Sequence, residues 1–128
     1  MTLIFILFAM IFAHIIDDFY LQGILASMKQ KSWWTNVTPE SMYSYDYIAA
    51  LIIHSMSWTF MILLPLTIYY NFHCTYIYFL LFLYNAHLHA VVDDLKANKK
   101  IINLCQDQFI HLLMILSTFW VAISLNSL

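Results

Sequence analysis

Three pairs of histidine and aspartate residues, each spaced four positions apart, lie within long apolar segments of the chain. They are His14 with Asp18, His89 with Asp93, and Asp107 with His111. Residues at i and i+4 share one face of a helix, so each pair would present an imidazole and a carboxylate together. Zn, Mn and Fe accept both ligand types, and facing pairs of this kind build metal sites in helical bundles. We therefore predict that these six residues are ligands of a divalent metal ion.

Four other polar side chains accompany the pairs and are candidates for contacts to the ligands or to a substrate: Gln22, His54, Lys96 and Gln108. A bound metal ion would activate water for hydrolysis, with Asp18, Asp93 and Asp107 as the candidate catalytic carboxylates. Asp17 and Asp94 stand next to the paired residues, and we expect both to face cytoplasmic water.

Two other interpretations of the same residues stay open. Chains of His and Asp side chains can move protons or ions through a transporter or channel. Alternatively, the residues hold helices together through interhelical hydrogen bonds worth about 0.6–2 kcal/mol each. An ionisable side chain within the hydrocarbon costs about 2.5–3.5 kcal/mol on insertion scales. Cheaper residues such as serine would suffice for packing, which favours the metal site.

The composition requires a lipid environment for most of the chain. Hydrophobic residues make up 63% of the 128 positions and charged residues 9%, against roughly 45–50% and 25% in soluble domains. A small soluble domain exposes too much of its surface to hide so much apolar area. The net charge is −2, and the absence of a basic patch argues against a nucleic-acid partner.

Four apolar segments are long enough to cross the bilayer as helices, at about 2–24, 47–70, 74–95 and 102–125. Each exceeds the ~20 residues that a membrane-spanning helix needs. None shows the polar and apolar alternation of a strand. The sequence thus predicts an all-α integral membrane protein, a four-transmembrane-helix bundle in a single domain over 1–128. The two halves look alike, which suggests a 2+2 helix repeat.

The lysines predict the orientation of this bundle. Lys29 and Lys31 lie between the first and second segments, and the other three lysines lie between the third and fourth. By the positive-inside rule both lysine-bearing loops are cytoplasmic and both termini are outside. Every His/Asp pair then lies in the cytoplasmic half of the bilayer, at a similar depth. The pair in the fourth segment has the reverse order, as an antiparallel neighbour requires.

The connections between the segments support two smaller predictions. Thr38 and Pro39 fit the start of a short helix along the headgroups, with Thr38 as its N-cap. Cys74 and Cys105 fall at opposite faces of the membrane in this topology. Neither has a CxxC partner, so both are predicted to be unpaired thiols.

The polar residues together form a pattern that resembles a family of small bacterial and phage-encoded inner-membrane proteins, classed as a domain of unknown function. The pattern is His-x-x-x-Asp-Phe-x-x-Gln with a following lysine, a lone His, His-x-x-x-Asp-x-x-Lys, and Asp-Gln-x-x-His. It is met here by His14, Asp18, Phe19, Gln22, Lys29 or Lys31, His54, His89, Asp93, Lys96, Asp107, Gln108 and His111. The resemblance spans nearly the whole chain and implies the same polar constellation, without an activity. Asp17 departs from it, since the family tends to have a small residue there.

The predicted function is a metal-dependent hydrolase acting on a membrane-associated substrate at the cytoplasmic face of the bacterial inner membrane, with Zn, Mn or Fe bound. One alternative is a proton- or ion-coupled transporter or channel. Another is a non-enzymatic phage or bacterial protein that binds a host membrane protein. Four short helices enclose little volume, so a homo-oligomer is compatible with all three.

Overall fold

A computed structural model describes residues 2–73 and 75–126, and its regular elements there are all helices, with no strand. The helices are α1 (Thr2–Ile15), continued by a π-helical segment (Ile16–Leu21), α2 (Leu25–Met28), α3 (Lys31–Val37), α4 (Asp46–Tyr69), α5 (Tyr76–Ala97) and α6 (Leu104–Asn126), with a 3₁₀ turn at Ser41–Tyr43. The all-α prediction is confirmed, and the four long helices match the four predicted apolar segments closely.

Three of the long helices are long and apolar enough to cross a membrane, over Thr2–Leu21, Ser41–Tyr69 and Leu104–Leu125. The fourth, α5, has 22 residues but is not among them. Its hydropathy is lowered by Asn85, His87, His89 and Asp93. Length and composition therefore confirm that three of the predicted spans could cross a membrane. The remaining predicted span, α5, is confirmed as a helix.

The long helices pack side by side in a ring, in which α1 and α5 each contact both α4 and α6. Short connections, residues 70–75 and 98–103, make α4, α5 and α6 alternate in direction, as in an up-and-down bundle. The end of the bundle away from the lysines has an apolar core that includes Ile6, Ile62, Leu66, Phe119 and Ala122. The outer surface carries many exposed large apolar side chains, among them Phe5, Phe60 and Trp120. Such a surface suits lipid and would be a liability in water.

Helix α1 widens into the π-helical segment where its two aspartates lie. The backbone N–H of Gln22 donates to the carbonyl of Asp17 at 3.2 Å, an i→i+5 bond of the π type. The wider turn changes the angular spacing of the side chains, and both Asp17 and Asp18 are buried. The expectation that Asp17 faces water is wrong: Asp17 lies three residues after His14 and seven after Met10, on the buried face of the helix. Gly23, at φ +49°, follows the segment in a conformation that glycine adopts without strain.

The two lysine-bearing loops lie at the same end of the bundle, as predicted, and Asn98 joins them. Its side-chain oxygen accepts from the Lys31 backbone N–H at 2.7 Å, and its amide donates to the Lys29 carbonyl at 3.0 Å. Thr38 is the C-cap of α3 and not an N-cap, so the short helix precedes Pro39 instead of following it. Cys105 is exposed and unpaired, as predicted. Cys74 lies outside the described residues.

Candidate metal centre

Eight buried side chains from the four long helices meet at the lysine-bearing end of the bundle. They are His14, Asp17 and Asp18 from α1 and its π continuation, His54 from α4, His89 and Asp93 from α5, and Asp107 and His111 from α6, each no more than 4% exposed. We call this group the His/Asp cluster. It contains all six predicted ligands. It also contains His54, predicted only to accompany the ligands, and Asp17, predicted to face water.

Four atoms of the cluster have nearly the spacing of a metal-ligand set. His54 Nε2 lies 3.1 Å from Asp18 Oδ1 and 3.5 Å from Asp93 Oδ2. His89 Nε2 lies 3.7 Å from Asp93 Oδ2 and 3.9 Å from Asp18 Oδ1. Ligands 2.0–2.2 Å from a tetrahedral zinc ion are roughly 3.3–3.6 Å from each other. Asp18, His54 and His89 each offer a ligand atom within 4.8 Å of the other two, and Asp93 lies beside both imidazoles. These four residues are therefore the candidate ligands of one ion.

A looser set of donors surrounds the other carboxylate oxygen of Asp18. His111 Nδ1 lies 3.8 Å from Asp18 Oδ2 and 3.9 Å from Asp107 Oδ2. His14 Nδ1 is 4.0 Å from Asp18 Oδ2. This nitrogen accepts a hydrogen bond from the Trp58 indole at 2.7 Å, and His14 Nε2 lies 3.1 Å from the side-chain oxygen of Gln108. A metal bond to His14 would require one of these hydrogen bonds to break.

Many buried polar atoms of the cluster have no hydrogen-bond partner in the part of the chain described. They are both ring nitrogens of His89 and of His111, Nδ1 of His54, and one carboxylate oxygen each of Asp17, Asp93 and Asp107. Buried polar groups in proteins are nearly always paired, and each unpaired one costs about 1–3 kcal/mol. The unpaired atoms are nitrogens and oxygens of the types that bind divalent transition metals. The donor set therefore fits such an ion.

The charges of the cluster do not cancel among the described side chains. Lys29 Nζ donates to Asp93 Oδ2 at 2.5 Å, and Lys96 Nζ donates to Asp107 Oδ2 at 2.6 Å. Two ammonium groups thus face the four buried aspartates of the cluster. With the imidazoles neutral and all four carboxylates ionised, two negative charges would remain in a region where unpaired charge is costly. One divalent cation would balance them.

The predicted accompanying residues contact the cluster. Gln108 donates to Asp18 Oδ2 at 3.1 Å and to Asp107 Oδ2 at 2.9 Å. Gln22 donates to the backbone carbonyl of Asp18. Lys96 pairs with Asp107 as described above.

Three residues that contact the cluster are not among the predicted ligands and accompanying residues. Lys29 was predicted as a marker of orientation and as one of two candidates for the lysine of the motif pattern, and its ammonium reaches Asp93. Trp58 stacks on His89 with ring centroids 4.3 Å apart and also donates to His14. Ser57 donates to Asp17 at 2.6 Å. Of these three residues, Trp58 is the one whose contact with the cluster could have been predicted from the sequence, because it lies four residues after His54 on the same helix.

The cluster ends well short of the opposite end of the bundle. Its last polar neighbours are Asn85, whose amide donates to the Thr118 hydroxyl at 2.8 Å, and buried Thr59. Beyond them the interior consists of side chains such as Ile62 and Leu66. Among the described residues, no buried His, Asp, Glu or Lys lies nearer to that end. A continuous row of titratable side chains therefore does not cross the bundle.

A cavity of about 380 Å³ adjoins the cluster at the lysine-bearing end. Its walls are Gln22, Ala26, Lys29, Gln30, Asp93, Lys96, Ala97 and Lys100. Asp93 belongs both to this wall and to the His/Asp cluster, so a molecule in the cavity would touch the cluster. A larger groove of about 550 Å³ lies between α4 and α5 at the far end, but its lining is mostly aromatic and aliphatic and contains no ionisable carboxylate, imidazole or amine.

Comparison with known proteins gave no relative: no family model, no curated protein and no solved structure matches the chain. The resemblance suggested by the sequence motifs therefore stays a prediction. The assignment of the site depends on its own geometry and charge.

Proposed function

We propose that this protein is a metal-dependent membrane hydrolase with one divalent ion bound by Asp18, His54, His89 and Asp93. The observation that carries the proposal is a buried cluster of four histidines and four aspartates in which imidazole nitrogens and carboxylate oxygens have no partner among the described residues. A structural cluster would be expected to pair its own polar atoms. Zn, Mn and Fe all accept two imidazoles and two carboxylates.

We further propose that α5 is a fourth membrane span, so that both termini lie outside and both lysine-bearing loops lie in the cytoplasm. Its polar residues Asn85, His89 and Asp93 are all buried in the bundle, whereas Phe79 and Leu83 on its surface are exposed. Most of the polarity that lowers the hydropathy of α5 would thus be hidden from lipid, and His87 is the exception, since it is exposed. Its 22 residues are enough to cross the hydrocarbon, which needs ~20.

The chemistry of a bound divalent ion would be to activate a water molecule and to polarise the bond under attack. With Asp18 and Asp93 as ligands, Asp107 is the predicted catalytic carboxylate that is left to take a proton from that water. Its Oδ2 accepts from Lys96 and Gln108, while its Oδ1 has no partner. The first two contacts hold the carboxylate in place and leave one oxygen free.

Metal analysis of the detergent-purified protein tests the proposal. We expect about one Zn, Mn or Fe ion per chain after incubation with metal and desalting. His89→Ala should lose the ion because it removes one ligand, whereas His87→Ala should keep it, since His87 is on the exposed side of the same helix. Wild-type protein that binds none of the three metals would contradict the proposal. So would equal loss of metal in the two variants.

A proton- or ion-coupled transporter is the second candidate, and the histidine rings favour it. His89 stacks on His111 with ring centroids 4.4 Å apart, and its ring centroid lies 5.0 Å from that of His54. These rings form a contiguous run of imidazoles, of the kind that builds proton relays in transporters. This candidate predicts pH-dependent flux into liposomes that Asp18→Asn abolishes. The apolar end of the bundle weighs against it, because the run of rings does not continue there.

A further inference from the structure

The cavity beside the His/Asp cluster has a strongly positive lining. Lys29, Lys96 and Lys100 contribute three ammonium groups, and Asp93 is the single carboxylate among the lining residues. Lys29 is paired with Asp93 and Lys96 with Asp107 of the adjacent cluster, so Lys100 brings the one positive charge of the lining that no described carboxylate offsets. The cavity volume of about 380 Å³ is near the lower end of the range for small-molecule pockets, ~300–1,000 Å³.

Several hydrogen-bond donors of this lining remain available. An ammonium group has three N–H donors, but Lys29 and Lys96 each contact a single carboxylate oxygen among the described residues. Lys29 is only 6% exposed, so water from outside has little access to its remaining donors. Lys100 has neither a hydrogen bond nor an ion pair within the described part of the chain. An anion in the cavity would satisfy these donors.

We propose that this cavity binds the phosphate group of a phosphomonoester, which would be the substrate class of the proposed hydrolase; the inference thus rests on the proposed function. A phosphomonoester carries a charge of about −1.5 to −2 at neutral pH, and its oxygens would accept from the three ammonium groups that line the cavity. Lysine ammonium groups are common phosphate ligands in proteins. Asp93 lines the cavity and also belongs to the proposed ligand set. The phosphorus of a bound ester would therefore lie next to the metal position.

The phosphate could belong to a lipid headgroup or to a soluble molecule. The cavity lies at the end of the bundle where Lys29 and Lys100 follow the long helices. In the proposed topology this end is at the cytoplasmic membrane surface, where headgroups and soluble esters are both within reach. A lipid phosphate and a soluble phosphate would make the same contacts in the cavity, and the experiment below distinguishes the two sources.

The experiment measures phosphate binding by the full chain, first metal-free and then loaded with metal. The soluble arm titrates inorganic phosphate into protein in neutral detergent by calorimetry. The lipid arm compares nanodiscs of phosphatidylcholine alone with nanodiscs containing phosphatidic acid, and asks whether the lipid phosphate competes with inorganic phosphate. Competition would support a lipid source, and binding of inorganic phosphate without it would support a soluble one.

A matched pair of lysine variants gives the control. Lys100→Gln removes an exposed cavity lysine and should weaken phosphate binding about tenfold, the value of one hydrogen bond to a charged group. Lys99→Gln removes the same charge from the adjacent residue, but Lys99 pairs with Asp94 at 3.4 Å and faces another cavity. It should leave phosphate binding unchanged.

Each result bears on the inference separately from the proposed function. Phosphate binding that is lost in Lys100→Gln and kept in Lys99→Gln supports the subsite, even in a protein that binds no metal. Equal effects of the two variants would overturn it, because the attraction would then come from net charge alone. Protein that binds metal but no phosphate in either state would also overturn the subsite and leave the metal centre standing.

Discussion

Replacing Asp17 by asparagine distinguishes a metal centre from a purely structural cluster, because the two predict opposite effects. Asp17 accepts a hydrogen bond from Ser57 at 2.6 Å, and its other oxygen lies 3.6 Å from His54 Nδ1. It is not among the four closest potential ligands. It lies next to the far side of one of them, His54, whose opposite ring nitrogen, Nε2, is 3.1 Å from Asp18.

The effect on metal binding follows from this position. Asp17 lies just beyond hydrogen-bond distance of His54 Nδ1, and a small approach on metal binding would let it hold the far nitrogen of a ligating histidine. Such a carboxylate typically raises metal affinity 10–100-fold. Asp17→Asn should therefore weaken metal binding by that factor, which corresponds to about 1.4–2.8 kcal/mol. Isothermal titration of zinc into the metal-free protein measures the change directly.

The effect on the metal-free protein should have the opposite sign. The substitution removes one of the two uncompensated negative charges, and the effective cost of a buried charge is several kcal/mol. It also weakens the bond from Ser57, because a hydrogen bond to a charged group exceeds a neutral one by about 1 kcal/mol. We expect a net gain of about 1–3 kcal/mol, seen as a higher thermal unfolding midpoint in detergent without metal.

Asp94→Asn is the matched control, since Asp94 is also the neighbour of a cluster aspartate. It pairs with Lys99 at 3.4 Å and is partly exposed, and surface pairs of this kind contribute about 0–1 kcal/mol. Neither metal affinity nor the unfolding midpoint should change by more than that. A lower unfolding midpoint for metal-free Asp17→Asn, with unchanged zinc affinity, would refute the charge argument and support a structural cluster.

Two further predictions concern the surroundings of the cluster and the topology. Trp58→Phe removes the only donor to His14 Nδ1 at 2.7 Å; it should lower the stability of the protein by about 1–3 kcal/mol, measured by thermal unfolding, and an unchanged midpoint would argue against this bond. In a Cys74→Ser background, Cys105, which is exposed at the start of α6, should react with a membrane-impermeant maleimide in inverted vesicles and not in intact cells, as the positive-inside orientation requires. Labelling of Cys105 from the outside would reverse the topology.

The helices and most of the cluster could be predicted from the sequence because both depend on local spacing. His89 and Asp93 share a helix face at i and i+4, and the lysines place their segment relative to the others. The hydropathy of α5 shows the limit of this reasoning. The polar residues that form the site, Asn85 and His89 among them, are the same ones that make the helix look less like a membrane span.

The remaining parts of the site depend on features that spacing does not show. Asp17 lies three residues after His14 and could have been placed on the same helix face, but its positions beside Ser57 and His54 depend on the packing of α4. Lys29 reaches Asp93 from a loop 64 positions away in the chain, a contact that only the assembled bundle creates. Trp58 looks like an ordinary aromatic residue of a membrane helix until its indole is found against His14.

X-ray absorption spectroscopy of the zinc-loaded, detergent-purified protein directly tests whether the His/Asp cluster binds a metal ion. The proposed ligand set predicts about one zinc ion per chain with only nitrogen and oxygen ligands at about 2.0–2.2 Å. It also predicts the outer-shell scattering of two imidazoles, from His54 and His89, and its reduction in His89→Ala. A spectrum of hydrated zinc without imidazole scattering, or one with sulfur ligands, would contradict it.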